Sequence, residues 1–332
     1  MKYIILLALL IAASGCVSQN ARNSGLIVTL SSDPPGIFQN QQTTLFVDID
    51  NTDEKTLNNV VFELFDTGIM DVVDTAQNQV DKTKNCIQRD CRISCAKFSP
   101  KEFQTFSCKL KAPEVMESTT STVNAKTTFS SELDVVQLIE LISRQEYERR
   151  QASGTFSTLP RKYTYSDRNI ALDMEFSEDL PVIERSEKRY FIHLTIINIG
   201  DGFVGDLGPN DFLVFQGTNA NSQTKITTEQ VKAKGGVLID LVEDIESIHV
   251  TPVEGDVDRI KTSIYGSLVK CEKLDEMKKN YQTMSPLGKT FPRITCELTP
   301  PDEIDVIGNY PMGIKILYDY ETRQNIGIRI MK

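Results

Sequence analysis

Two stretches far apart in the chain, FSCKLKAPE at 106–114 and ITCELTPPDE at 294–303, share one layout: a cysteine inside an alternating apolar run, then proline and acid. Each is followed by a long strand-like run, TVNAKTTFSSELDVVQLIELI at 122–142 and NYPMGIKILYDYETRQNIGIRIM at 309–331. Each is preceded by two strand-like segments around a turn, LFVDIDNTDEKTLNNVVFELFDTG at 45–68 and LTIINIGDGFVGDLGPNDFLVFQG at 194–217. Asn51 then corresponds to Asn198 and Cys108 to Cys296, with the second copy longer by about 40 residues between these landmarks. A repeat of this kind restricts the chain to two copies of one domain, and the hydrophobic period says which kind.

The period is two. Phe46, Val47 and Ile49 interleave with Asp48 and Asp50, and Ile316, Tyr318 and Tyr320 share one face while Leu317 and Asp319 take the other. Thr, Val, Ile and Tyr fill these runs, as a pleated surface favours. Turn signals close them at Asp33-Pro34-Pro35-Gly36, Asp66-Thr67-Gly68, Gly200-Asp201-Gly202 and Pro300-Pro301-Asp302. Many short strands with few helices predict an all-β chain of two tandem antiparallel β-sandwiches. The stretch 131–152 reads as a strand running into a charged linker with room for a helical turn, 154–169 as a connecting loop, 227–249 as ambiguous between helix and strand, and 270–281 as one short helix.

The proline turn of LIVTLSSDPPG, the long strands TTLFVDIDN and YFIHLTIIN ending at asparagine, and a late strand leaving toward proline resemble the immunoglobulin-like adhesion domains of archaeal and bacterial surface proteins, the CARDB type among them. The resemblance spans about residues 25 to 332 and implies a fold more than a function. It divides the chain into a first immunoglobulin-like sandwich at 26–143, a linker at 144–168, and a second sandwich at 169–332 with an insertion at about 218–290.

The N-terminus sets a location. Lys2 precedes the apolar run IILLALLIAA, which is too short to span a bilayer as a mature helix and reads as a signal peptide over 1–15. The following Ala13-Ser14-Gly15-Cys16 resembles the lipobox of bacterial and archaeal lipoproteins, which implies lipidation of Cys16 and a polar tether over 16–25. The body would then lie outside the membrane, held to it by the lipid. Of seven cysteines, six remain: Cys86, Cys91, Cys95 and Cys108 in the first domain, Cys271 and Cys296 in the second. Even counts in an exported chain predict two disulfides and one. Four cysteines leave three connectivities open; the matched positions favour a bridge from Cys91 or Cys95 to Cys108, by analogy with Cys271 to Cys296. The first-domain spacings lack the C-x2-C knuckle of structural zinc.

Chemistry is sparse. The formal charge of −10, with no long basic run, opposes a nucleic-acid partner. Trp is absent and the two histidines, His193 and His249, accompany no G-x-S-x-G, H-E-x-x-H or P-loop motif, so the expectation is a protein that is not an enzyme and needs no cofactor. Acidic pairs such as Glu178-Asp179 and Glu243-Asp244 are ordinary in so acidic a chain. The one metal candidate is the turn GDGFVGDLGPND at 200–211, where Asp201, Asp206, Asn210 and Asp211 offer hard oxygens suited to calcium, without the order of an EF-hand. The sequence thus points to a cell-surface structural, adhesion or assembly component with a protein or polysaccharide partner. The alternatives are a filament or layer subunit that self-associates through the strand edges LIVTLS (26–31) or IGIRIM (326–331), and a surface hydrolase or solute-binding lipoprotein.

Overall fold

The structure, a computed structural model, describes residues 25–73, 80–81, 86–184, 189–216, 268–300, 304 and 306–332. The signal segment, Cys16, His249, Glu243-Asp244 and most of the 218–290 insertion lie outside the described residues. In chain order the elements are β1 (Leu26–Asp33), β2 (Gly36–Phe38), β3 (Gln42–Asn51), β4 (Leu57–Asp66), β5 (Asp71–Val72), β6 (Val80–Asp81), β7 (Cys86–Arg89), β8 (Arg92–Phe98), β9 (Phe103–Lys111) and β10 (Thr119–Ile142). There follow α1 (Arg144–Ala152), β11 (Lys162–Ser166), β12 (Ile170–Phe176), β13 (Val182–Ile183), β14 (Tyr190–Asn198), β15 (Phe203–Val204), β16 (Phe212–Gln216), β17 (Val269–Lys270), α2 (Glu272–Asn280), β18 (Ile294–Leu298) and β19 (Ile307–Met331). The chain is mostly strand, in several largely antiparallel sheets.

It divides into two compact units: Met1–Ser130 with Gly200–Phe203 and Tyr320–Lys332, and Ser131–Ile199 with Val204–Asp319. In the first unit one sheet has the order β1-β3-β9-β5, every neighbour antiparallel. A second sheet carries β10, β4, β8, β7 and β6 in that order, with β19 on the other side of β10 and β2 parallel to the end of β19. Alternation decides what each face does: Leu45, Val47 and Ile49 of β3 and Val60 and Phe62 of β4 are buried, while Phe46, Asp48 and Asp50 sit on the half-buried opposite face. Val123, Ala125 and Phe129 of β10, with Tyr320 tilted against Phe129 at 5.6 Å between ring centroids, extend the same core.

In the second unit one sheet has the order β11-β12-β14-β18-β17. The remaining strands are β16, antiparallel to β19 over 312–316, and β13, parallel to β10 over 141–142. Met174, Phe176, Ile192, Leu194, Ile196, Ile314 and Ile316 are buried.

The repeat read in the sequence reappears as register. Leu26 faces Asn51 and Ile170 faces Asn198. Leu45 faces Cys108 and Ile192 faces Cys296, six residues before the asparagine in both copies (51 − 45 and 198 − 192). A cis proline follows the first of these strands in each, Asp33-Pro34 and Leu180-Pro181, and just beyond it a short parallel strand, β2 or β13.

Two details differ from the expected layout. Residues 131–142, read as the end of the first domain, belong to the second unit, and 320–332, read as the end of the second, belong to the first. The reason is strand length: β10 and β19 run for 24 and 25 residues, against the usual ~5–6, so each contributes to both units. The second detail is the linker at 144–168, which contains α1 and β11. Helix α1 starts where Ser143 Oγ accepts the Glu146 N–H at 3.2 Å, the S-x-x-E pattern of a capping box. Arg149 and Arg150 donate to the Glu146 carboxylate, holding its pKa down at about 2.

Asn51 closes β3 from inside the core. Its Nδ2 donates to the carbonyls of Lys55 at 2.9 Å, Phe98 at 3.2 Å and Ser99 at 2.8 Å, and its Oδ1 accepts the Asp53 N–H. Asn51→Ala is expected to lower stability by about 2–4 kcal/mol, read from urea unfolding, because it orphans buried carbonyls. A depressed carboxylate stabilises above its unfolded pKa and loses that contribution as pH falls through the folded value. The stability gap between wild type and Glu146→Gln is therefore expected to hold at neutral pH and to close from about pH 4.5 down to about pH 2.

Candidate functional site

The cysteines pair completely beyond Cys16. Cys86 and Cys95 face each other in the β7–β8 register and are bonded, with a Cα separation of 4.0 Å. Cys91, in the turn between those strands, is bonded to Cys108 on β9 across 5.4 Å. Cys271, directly after β17, is bonded to Cys296 on β18 across 4.1 Å. Cys91–Cys108 and Cys271–Cys296 are counterparts, since each ties the strand that neighbours the asparagine-ended strand of its unit. Six cysteines in three disulfides leave no thiolates among them for zinc, and point to an oxidising, extracellular setting.

The turn at 200–211 uses its polar groups locally. Asp201 belongs to the first unit and is exposed; Asp206 and Asn210, in the second, are also exposed. The Asp211 carboxylate accepts the Gly208 N–H at 2.6 Å, closing its own turn. Among the described residues no group of three or more His, Cys, Asp or Glu side chains is placed to hold a metal ion, so the calcium expectation finds no cluster here. The glycines have another use. A Cβ on Gly202 would lie 2.3 Å from the Glu321 carbonyl and 2.6 Å from the Tyr320 ring, and the Gly202 N–H donates to the Tyr320 hydroxyl at 2.7 Å. Only glycine lets this backbone reach Tyr320.

His193 lies on β14 opposite Thr295, with Nδ1 3.1 Å from Thr295 Oγ1. Burial, with the Arg293 charge, pushes its pKa down. Tyr318, almost fully buried, donates to Asp167 Oδ2 at 2.6 Å and accepts from Asn169 Nδ2 at 3.1 Å. Burial raises the Tyr318 pKa, and the other Asp167 oxygen accepts the N–H groups of Asn169 and Ile170. That network fixes the start of β12. Of the acidic pair Glu178-Asp179, Asp179 is ion-paired with Arg161.

The close approach of Gly202 sets up the feature that sequence reading missed. It delivers Phe203, on β15, to the first unit's surface beside Arg323 of β19. The Arg323 guanidinium carbon lies 4.8 Å from the Phe203 ring centroid and 5.7 Å from that of Phe65 on β4. Glu321 accepts its Nε–H at 2.6 Å, which orients the plane. Phe65 and Phe203 remain 50% and 55% exposed. Beside them Lys126 donates to Glu63 at 2.8 Å, which lowers the Glu63 pKa and raises that of Lys126, and Arg92 lies 3.7 Å from the same carboxylate. Two exposed phenyl rings thus flank an arginine held by Glu321, a cation–π arrangement on the surface of the first unit. No sequence signal joins residues 65, 203 and 323, because only the folded chain brings β4, β15 and β19 together.

The chain matches no known protein-family model, and no curated protein matches it.

Cys91→Ala with Cys108→Ala, which opens a loop spanning 17 residues, is expected to cost about 3 kcal/mol in denaturant unfolding. Gly202→Ala is expected to cost roughly 1–3 kcal/mol, since the clash is with main chain that cannot move freely. It should also change near-ultraviolet signals from the Tyr320 environment.

Proposed function

We propose that this chain is a non-catalytic, lipid-anchored surface protein whose two units are immunoglobulin-like sandwiches that bind a protein or polysaccharide partner in a structural, adhesive or assembly role. The fold reading is supported by the first unit's two sheets, β1-β3-β9-β5 and β2-β19-β10-β4-β8, with β2 parallel to the last strand, and by the matching β13 in the second unit. The compartment is supported by the three disulfides, and the anchor by the run ahead of Cys16.

The observation that carries the binding role is the exposed Phe65–Arg323–Phe203 stack. Burying those rings in an interface releases about 25 cal/mol per Å² of apolar surface. The arginine, already oriented by Glu321, loses less freedom on binding than a solvated one.

The test has two parts. Non-reducing intact mass of the protein extracted from its own membranes should give a chain beginning at a diacylated Cys16 with three disulfides; a chain that retains residues 1–15, or free thiols, would overturn the anchor. A photo-crosslinker at position 65 should capture a defined surface partner, and Arg323→Ala with the fold intact should abolish the capture. Capture that survives Arg323→Ala, or a turnover that depends on a specific side chain, would overturn the binding role.

A further inference from the structure

We propose that two copies of the chain pair edge to edge through β1, continuing the β1-β3-β9-β5 sheet across a two-fold axis at Leu30. This goes beyond the reading above, because it needs neither the anchor nor the Arg323 surface.

The backbone phase of β1 fixes what its edge presents. The Gly25 carbonyl accepts the Thr52 N–H at 2.8 Å, and the pair 25/52 continues the register in which Leu26 faces Asn51. Odd-numbered residues of β1 therefore direct their peptide groups toward β3, and even-numbered ones direct theirs outward. The Asn51 N–H agrees with this phase, since it donates away from β1, to the Glu102 carbonyl at 2.9 Å. Val28, Leu30 and Ser32 thus carry N–H and C=O groups on the side of β1 where no strand pairs among the described residues.

Natural sheets protect such edges with charge, proline, bulges or brevity. The other edges of the four- and five-stranded sheets comply. β5 and β17 have two residues each, and β11 carries Lys162, 2.9 Å from Asp173. β1 has eight residues, pairs with β3 without a register shift, and bears no charge before Asp33. The second edge expected from sequence, IGIRIM at 326–331, belongs to a strand that has β10 as a neighbour, and its residues 329–331 pair with β2.

The occupant is a second copy because β1 complements itself. Antiparallel pairing centred on Leu30 sets Leu30 opposite Leu30, Val28 opposite Ser32, Thr29 opposite Ser31 and Asp33 opposite Ile27, so no like charges meet. The three outward-facing pairs exchange about six hydrogen bonds. Along the inward face Leu26 and Val28 are 1% and 6% exposed whereas Leu30 is only partly buried, so the core cover thins where the partner's Leu30 would add to it.

Sedimentation of the full-length chain should show a reversible dimer. Thr29→Lys with Ser31→Lys changes only exposed side chains, and in the dimer it opposes lysines twice. It should weaken the dimer by about tenfold or more while leaving thermal unfolding in place. Leu30→Cys should form a reducible crosslinked dimer on a non-reducing gel, since a hydrogen-bonded pair places Cα atoms about 5.5 Å apart, within disulfide reach. A chain that stays monomeric at every soluble concentration, a dimer indifferent to the two lysines, or an uncrosslinked Leu30→Cys would each overturn the proposal.

Discussion

The first unit hangs on one buried side-chain amide. Asn51 ends β3, and its three donated hydrogen bonds reach the turn into β4 at Lys55 and the end of β8 at Phe98 and Ser99. β3 lies in one sheet and β4 and β8 in the other, so a single side chain sets where the chain leaves the first sheet and where the second one stops. Apolar burial supplies most of the driving force, but it is non-directional. Leu45, Val47 and Ile49 would be equally buried with the turns displaced. The amide removes that freedom, because a carbonyl left buried without a donor is costly.

Much of the fold was legible because strand period and repeat are written directly in residue order. The pairs Asn51/Asn198 and Cys108/Cys296 proved to occupy equivalent registers, and the helix read over 270–281 lies at Glu272–Asn280. The division of the chain was harder to read. Runs 122–142 and 309–331 stood out as unusually long, yet alternation says which residues share a face and nothing about where along a strand one core ends. Helix α1 showed in the sequence only as a helical turn within the charged end of 131–152, although Ser143 and Glu146 already spelled its cap. β11 was missed because KYTYS is bounded by no strong turn residue on its N-terminal side except Pro160.

The site was the least legible part. GDGFVGDLGPND reads as a cation loop when its oxygens are counted, but the Asp211 carboxylate is bonded to its own turn and Gly202 is there to admit Tyr320. The Phe65–Arg323–Phe203 stack depends on Gly200–Phe203 belonging to the first unit. A long-range arrangement of that sort leaves no local pattern. In energetic terms the Arg323 stack is modest by itself, about 0.5–1 kcal/mol at an exposed position. Its value lies in keeping two phenyl rings and a guanidinium fixed in the open.

The two bridges of the first unit interlock in sequence: Cys86–Cys95 begins before Cys91–Cys108 and ends inside it. A protease that severs any peptide bond between Cys86 and Cys108 therefore cuts a loop spanned by at least one bridge, and the two pieces stay covalently joined. The bond from Cys271 to Cys296 does the same for its own span. For a chain in an extracellular setting, nicking in these stretches changes the number of termini without releasing a fragment.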